Sequence, residues 1–141
     1  MKLAIGSDHA GFCLKEDIKD FLTKKGFKVI DFGTYSPDRT DYPVYAAKVA
    51  KAVASKKAER GILVCGSGLG MCMAANKTKG IRAAACESEY TAKMSRLHND
   101  SNILCLGERI LPPAKAKKIA GIWLKTKFEG GRHSRRVKLI G

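Results

Sequence analysis

No stretch of the 141-residue sequence approaches the ~18 consecutive apolar residues of a membrane-spanning helix. The opening apolar run, Leu3 to Ile5, meets Asp8 and His9 too soon to serve as a signal peptide, so the cytoplasm is the expected compartment. C-x-x-C spacing is absent, and the five cysteines (Cys13, Cys65, Cys72, Cys86 and Cys105) are odd in number. Neither a disulfide framework nor a zinc knuckle is expected, and small buried cysteines are the plain reading for most of them. Acidic residues are scarce, 13 Asp and Glu against 27 Lys and Arg, for a net charge of +14. That excess suits either an anionic partner or a solvated lysine-rich surface. The lysines are dispersed to places where helices would end, and only Arg132 to Lys138 is dense, so no nucleic-acid partner is expected. A hydrophobic content of 45% excludes a disordered chain.

Short apolar runs alternate with longer amphipathic ones. The runs Leu3–Gly6, Val29–Phe32, Gly61–Cys65, Ile81–Cys86 and Ile103–Leu106 read as strands. Between them, Phe12–Lys25, Tyr42–Ala54, Leu69–Lys77 and Tyr90–His98 read as helices. A fifth helix is expected from Pro112–Pro113 to about Lys127, and a short terminal one over Arg132–Ile140. The strands are apolar throughout rather than alternating, as in a parallel sheet covered on both faces. The expectation is one doubly wound, Rossmann-like α/β domain spanning 1–141, with a five-stranded parallel sheet and a short C-terminal helical tail. Ligands of such sheets bind beyond the carboxyl ends of the strands. Those ends carry Ser7-Asp8-His9, Gly33-Thr34, Cys65-Gly66-Ser67, Cys86-Glu87 and Gly107-Glu108-Arg109.

Gly66-Ser67-Gly68-Leu69-Gly70 leaves a buried strand and opens a helix. Glycines let the backbone approach a ligand, and free amides at a helix start face anions. The dinucleotide fingerprint is broken by Met71, and the Walker A Gly-Lys-Ser/Thr is missing, so the loop reads as a small anion or oxyanion cradle. Cys65 stands directly before it, where a thiolate is favoured and can act as nucleophile or general base. Asp8-His9 serves equally well as a helix cap or as a site. His98, with Asn99, ends a helix, where a histidine also suits the helix dipole. Arg132 and Arg136, four apart, share a helix face and can clamp a phosphate, or form a basic tail without a fixed partner.

Seven motifs in order carry a resemblance along nearly the whole chain. They are Gly6-Ser7-Asp8-His9-Ala10-Gly11-Phe12, Asp41-Tyr42-Pro43, Cys65 to Gly70, Ala74-Ala75-Asn76-Lys77, Gly80-Ile81-Arg82-Ala83, Arg96 to Asp100 and Glu129-Gly130-Gly131-Arg132-His133. Together the sequence resembles the type B ribose-5-phosphate isomerases, a family that includes the galactose-6-phosphate isomerase subunits. The resemblance implies aldose–ketose isomerisation of a sugar phosphate through an enediolate, with no metal and no organic cofactor. It implies Cys65 as the base, His98 as the ring-opening acid, Ser67 as a substrate contact near the base and Asp8 as a hydroxyl-binding or ring-opening residue. The amides of Gly66, Gly68, Leu69 and Gly70, with Asn99, would hold the oxyanion. His9, Arg132 and Arg136 would take the phosphate, with Tyr42 and Arg109 as further substrate contacts. It also implies a homodimer or homotetramer whose sites are shared between chains, with the tail 129–141 packing on a partner.

Two other readings compete. A nucleic-acid module would use the positive charge but lacks aromatic interleaving. A dinucleotide-binding protein would use Glu87, about 20 residues after the glycine loop, but Met71 opposes it.

Overall fold

A computed structural model describes all residues, 1–141. Its strands are β1 (Lys2–Ser7), β2 (Lys28–Asp31), β3 (Arg60–Cys65), β4 (Ala83–Ala85) and β5 (Ile103–Gly107). The helices are α1 (Phe12–Lys24), α2 (Tyr42–Ala54), α3 (Leu69–Ala75), α4 (Glu89–Leu97), α5 (Pro113–Lys125) and α6 (Arg132–Ile140). The strands form one sheet in the order β2-β1-β3-β5-β4, and every pairing is parallel. This is the expected α/β architecture, including the C-terminal helix. The chain winds outward from β1 to β2, then returns to β3 on the other side of β1. The sheet therefore has its topological switch between β1 and β3, where two diverging loops leave a crevice.

Strand parity divides the interior into two cores. Leu3, Ile5, Ile62, Val64, Leu104 and Leu106 face one side, against Leu14, Ile18 and Leu22 of α1 and Ile119, Trp123 and Leu124 of α5. Ala4, Leu63, Cys65, Ile103 and Cys105 face the other, against Val49 and Val53 of α2 and Met71 of α3. In β1, β3 and β5, apolar runs buried on both faces explain the lack of a two-residue alternation.

The boundaries depart from expectation where side chains take over backbone hydrogen bonds. The run Ile81–Cys86 forms a strand only over Ala83–Ala85. The Arg82 N–H donates instead to Asn102 Oδ1, and the Ala83 N–H to Asn76 Oδ1, both at 2.8 Å. Asn76 also ends α3, two residues short of Lys77 in part because its side chain turns across to β4. Helix α5 stops at Lys125 rather than Lys127, as Thr126 turns extended and its carbonyl accepts from Arg96 Nε at 3.1 Å. On α1 the aromatic pair Phe12 and Phe21 is only half-buried, while Leu14 and Lys15 are buried. The cysteines also divide, with Cys65, Cys86 and Cys105 buried, Cys72 intermediate and Cys13 exposed.

No helix is long and apolar enough to cross a membrane.

Candidate active site

The crevice at the switch point is a cavity of about 360 Å³ lined by Asp8, His9, Tyr42, Cys65, Gly66, Ser67, Gly70 and Arg109, with Ala10 and Ile110. Strand β3 delivers Cys65 as its last residue, 5% exposed, with its sulfur on the α2–α3 side of the sheet. Gly68 caps α3 in the left-handed region at φ +80°, a conformation that disfavours any side chain. That turn brings its amide back onto Cys65, whose Sγ accepts the N–H at 3.1 Å. The positive end of a peptide dipole thus faces the sulfur. Ser67 is exposed, and its Oγ accepts the Leu69 N–H at 3.2 Å. At Gly70 an added Cβ would lie 2.6 Å from the Tyr42 ring, so α3 and the first residue of α2 close on each other there.

Strand β1 ends at Ser7 and hands the chain to Asp8, which is buried. Asp8 Oδ1 accepts the Gly11 N–H at 3.0 Å and so caps the short turn His9–Gly11. The residue is therefore both a cap and a wall of the cavity. His9 is fixed through Nδ1, which lies 3.1 Å from the Thr40 carbonyl oxygen and 3.2 Å from the Thr40 nitrogen. The turn after β5 is tied to the glycine loop: the Glu108 N–H donates to the Cys65 carbonyl at 2.9 Å and the Arg109 N–H to the Gly66 carbonyl at 3.0 Å. Glu108 itself points away, its Oε1 accepting the Leu14 N–H of α1 at 2.6 Å.

The structure does not bring all the expected residues into this cavity. His98, Asn99, Arg132 and Arg136 lie outside its walls. His98 stacks on His133, with ring centroids 4.2 Å apart and planes 15° from parallel. Both Nε2 atoms stand 3.9 Å from Glu129 Oε2. Burial, and then the neighbouring His98, hold the His133 imidazole below its ordinary pKa. Asn99 borders a different cavity, of about 550 Å³, beside Lys77, Arg82 and Ile140. Arg132 and Arg136 are exposed on α6. Buried Arg96 holds the His98–Asn99 turn by donating to Asp100 Oδ1 at 2.8 Å and the Ser101 carbonyl at 2.6 Å.

Residue-type reasoning passed over the supports of this site. Lys15 is fully buried, and its Nζ donates to both Asp31 oxygens at 2.9 Å and to the Thr34 carbonyl at 2.6 Å. It anchors the start of the 33–41 loop, whose later residue Thr40 grips His9. A lysine between apolar helix positions carries no sequence signal for that role. His133 meets Glu129 across the Gly130-Gly131 turn that precedes α6, a contact that helical spacing does not announce.

The sequence matches the Ribose/Galactose Isomerase family model over residues 3–140. The chain belongs to that family. It is 50% identical over 139 residues to ribose-5-phosphate isomerase B of Escherichia coli, covering 99% of this chain and 93% of the relative. It is 43% identical to D-erythrulose-4-phosphate isomerase of Pectobacterium atrosepticum, covering 100% of this chain and 93% of that protein. The solved Clostridium thermocellum ribose-5-phosphate isomerase B superimposes with a TM-score of 0.99 at 55% identity, over 100% of this chain and 95% of that one. The Mycoplasma genitalium ribose-5-phosphate isomerase B with bound ribulose-5-phosphate gives 0.94 at 45% identity, over 99% and 93%. As a member of the ribose/galactose isomerase family, the chain is an isomerase, and its five-stranded sheet and terminal helix are those of its solved relatives.

Proposed function

We propose that this isomerase interconverts ribose 5-phosphate and ribulose 5-phosphate, with Cys65 moving the proton. The observation that carries the reading is the sulfur at a strand end, on the wall of the switch-point cavity and facing the Gly68 amide at 3.1 Å. Aldose–ketose exchange needs a base beside C1 and C2 and a preorganised cradle for negative charge. As thiolate, Cys65 takes the proton from C2 of the open-chain aldose. The electron pair moves through an enediolate, whose oxygens face the amides of the 66–70 loop. The thiol then returns the proton to C1. Ser67 and Asp8 contact the sugar beside the base, and Tyr42 and Arg109 close the same cavity. His9 takes the phosphate.

On this reading the residues outside the cavity work in a neighbouring copy. His98 opens the furanose ring as an acid toward the ring oxygen, Asn99 adds a donor to the oxyanion, and Arg132 and Arg136 hold the phosphate. The functional unit is then a homodimer or homotetramer with composite sites. The surface is consistent with such pairing: α6 leaves Leu139 75% and Ile140 62% exposed, and the rim of the cavity exposes Leu69 and Ile110. No metal or organic cofactor enters this mechanism.

A panel of pentose and hexose phosphates, run on the wild type and on Cys65→Ala, tests the reading. Ribose 5-phosphate should be isomerised by the wild type only, with the variant's circular dichroism unchanged. A folded Cys65→Ala variant that still isomerises removes Cys65 as the base. Preference for another sugar phosphate corrects the substrate and leaves the proton transfer standing.

A further inference from the structure

Three ligand-type side chains gather at the His98–His133 stack. His98, Glu129 and His133 each bring one ligand atom within 4.8 Å of the other two. The two Nε2–Oε2 separations of 3.9 Å are too long for hydrogen bonds. His133 is only 5% exposed, and its Nε2 is fully buried without any hydrogen-bond partner. A buried imidazole nitrogen in that state costs free energy until some group satisfies it. The cluster is held from behind. Buried Arg96 donates through Nε to the Thr126 carbonyl at 3.1 Å, which draws the segment leading to Glu129 against the end of α4. The Glu129 N–H donates to the Leu97 carbonyl at 3.1 Å, next to His98. The His133 N–H donates to the Gly130 carbonyl, also at 3.1 Å, so the Gly130-Gly131 turn carries the ring back to Glu129.

We propose that His98, Glu129 and His133 form an inhibitory zinc-binding site. Two imidazoles and a carboxylate are a donor set of open zinc sites, in which water fills the remaining position. Imidazole nitrogen favours zinc over magnesium and calcium, which take oxygen ligands. The net charge of +14 also disfavours cations held by charge alone. Zinc bonds of about 2.0–2.1 Å place tetrahedral donors about 3.3 Å apart, so each 3.9 Å gap has to close by about 0.6 Å. An ion also lies near the plane of each imidazole it binds, so one ring must tilt out of the 15° stack. His98 and Glu129 supply that movement, with side chains 40% and 49% exposed, while buried His133 is the anchor. Zinc held there occupies the His98 lone pair and stops the residue from acting as an acid. The inhibition rests on the role of His98 in the proposed isomerisation; the binding does not.

The test titrates zinc chloride into the full chain, reduced with a phosphine and stripped of metal, and reads binding by competition with a chromophoric chelator. The wild type and Cys65→Ala should bind zinc equally well. His133→Gln should weaken binding by more than the roughly 10–100-fold that losing an outer partner of a zinc ligand costs. Glu129→Gln should do the same, and its exposed position leaves the fold intact, as circular dichroism checks. Cobalt(II) in place of zinc should show the visible bands of a nitrogen–oxygen site without sulfur-to-cobalt charge transfer. Zinc should inhibit isomerisation of ribose 5-phosphate by the wild type and far less by Glu129→Gln. Affinity unchanged in both variants, sulfur charge transfer, or equal inhibition of wild type and Glu129→Gln overturns the site. Binding that both variants lose, with wild-type isomerisation untouched by zinc, upholds the site, overturns its inhibitory action and takes ring opening from His98.

Discussion

Replacing Lys15 by methionine keeps the length of the side chain and removes its charge. Lys15 is fully buried, and its Nζ donates to both Asp31 oxygens and to the Thr34 carbonyl, with Glu16 Oε1 3.3 Å away and itself held by Lys19. Losing one partner of a buried pair strands the other charge, at about 3–5 kcal/mol. The Thr34 carbonyl, left without its donor, adds a desolvation cost of about 1 kcal/mol or more. Asp31 keeps the Gly33 N–H and Lys19 Nζ, both at 2.9 Å, and its side chain is 15% exposed. Those remaining partners place the expected loss at the low end, about 3 kcal/mol. For a chain of this size that lowers Tm by roughly 10 °C. Urea unfolding followed by circular dichroism measures it. In an Asp31→Asn background the same substitution should cost far less, since no carboxylate is left unpaired. The loss should also depend on pH. Burial pushes the Asp31 carboxyl up, but hydrogen bonds from Lys15, the Gly33 amide and Lys19 outweigh it and hold the group below its ordinary 3.8. Stabilisation from a depressed carboxylate is complete above its unfolded pKa and fades as pH falls through the folded one. The penalty of Lys15→Met should therefore be full at neutral pH and shrink below about pH 4. A loss under ~1 kcal/mol at pH 7, or one that grows in acid, refutes the reasoning.

Gly68→Ala should cost about 1–2 kcal/mol, since its φ is +80° and the new Cβ would stand 3.1 Å from the Leu106 carbonyl carbon. It should also lower kcat, because the amide that faces Cys65 shifts; an unchanged kcat would deny that amide a role. Arg96→Met should destabilise by about 2 kcal/mol through the Ser101 and Thr126 carbonyls left without their donor, while Asp100 keeps Arg82, and hydrogen exchange at His98 and Asn99 should quicken. Normal protection of that turn would show that other contacts hold it. Arg136→Ala should leave Tm unchanged, as the residue is exposed, while raising KM for a phosphorylated sugar. An unaltered KM takes Arg136 out of the phosphate contacts.

The order of strands and helices was written in the chain because burial on both sheet faces demands uninterrupted apolar runs, and those runs are local. The glycine loop after Cys65 was equally plain, since its backbone geometry is a property of a few consecutive residues. Ends of elements were less legible. Asn76 and Asn102 claim the amides beside β4, and a side chain's reach across a sheet edge has no counterpart in one-dimensional spacing. Nothing in the residues around Lys15 marks it for burial, and only the return of β2 beside β1 supplies the carboxylate that lets it be buried. The candidate site divided in the same way. Asp8, His9, Cys65 and the glycine loop lie at the ends of β1 and β3, which pairing makes neighbours, so their assembly follows from topology. His98, Asn99, Arg132 and Arg136 lie outside the cavity of their own chain, with His98 stacked on His133, an arrangement compatible with the expected sharing of sites between chains. Which residues could do chemistry is a matter of side-chain type and local backbone, and the amino-acid order determined that much. Which of them share one cavity is a matter of distances between segments far apart in the chain, and only tertiary packing decided it.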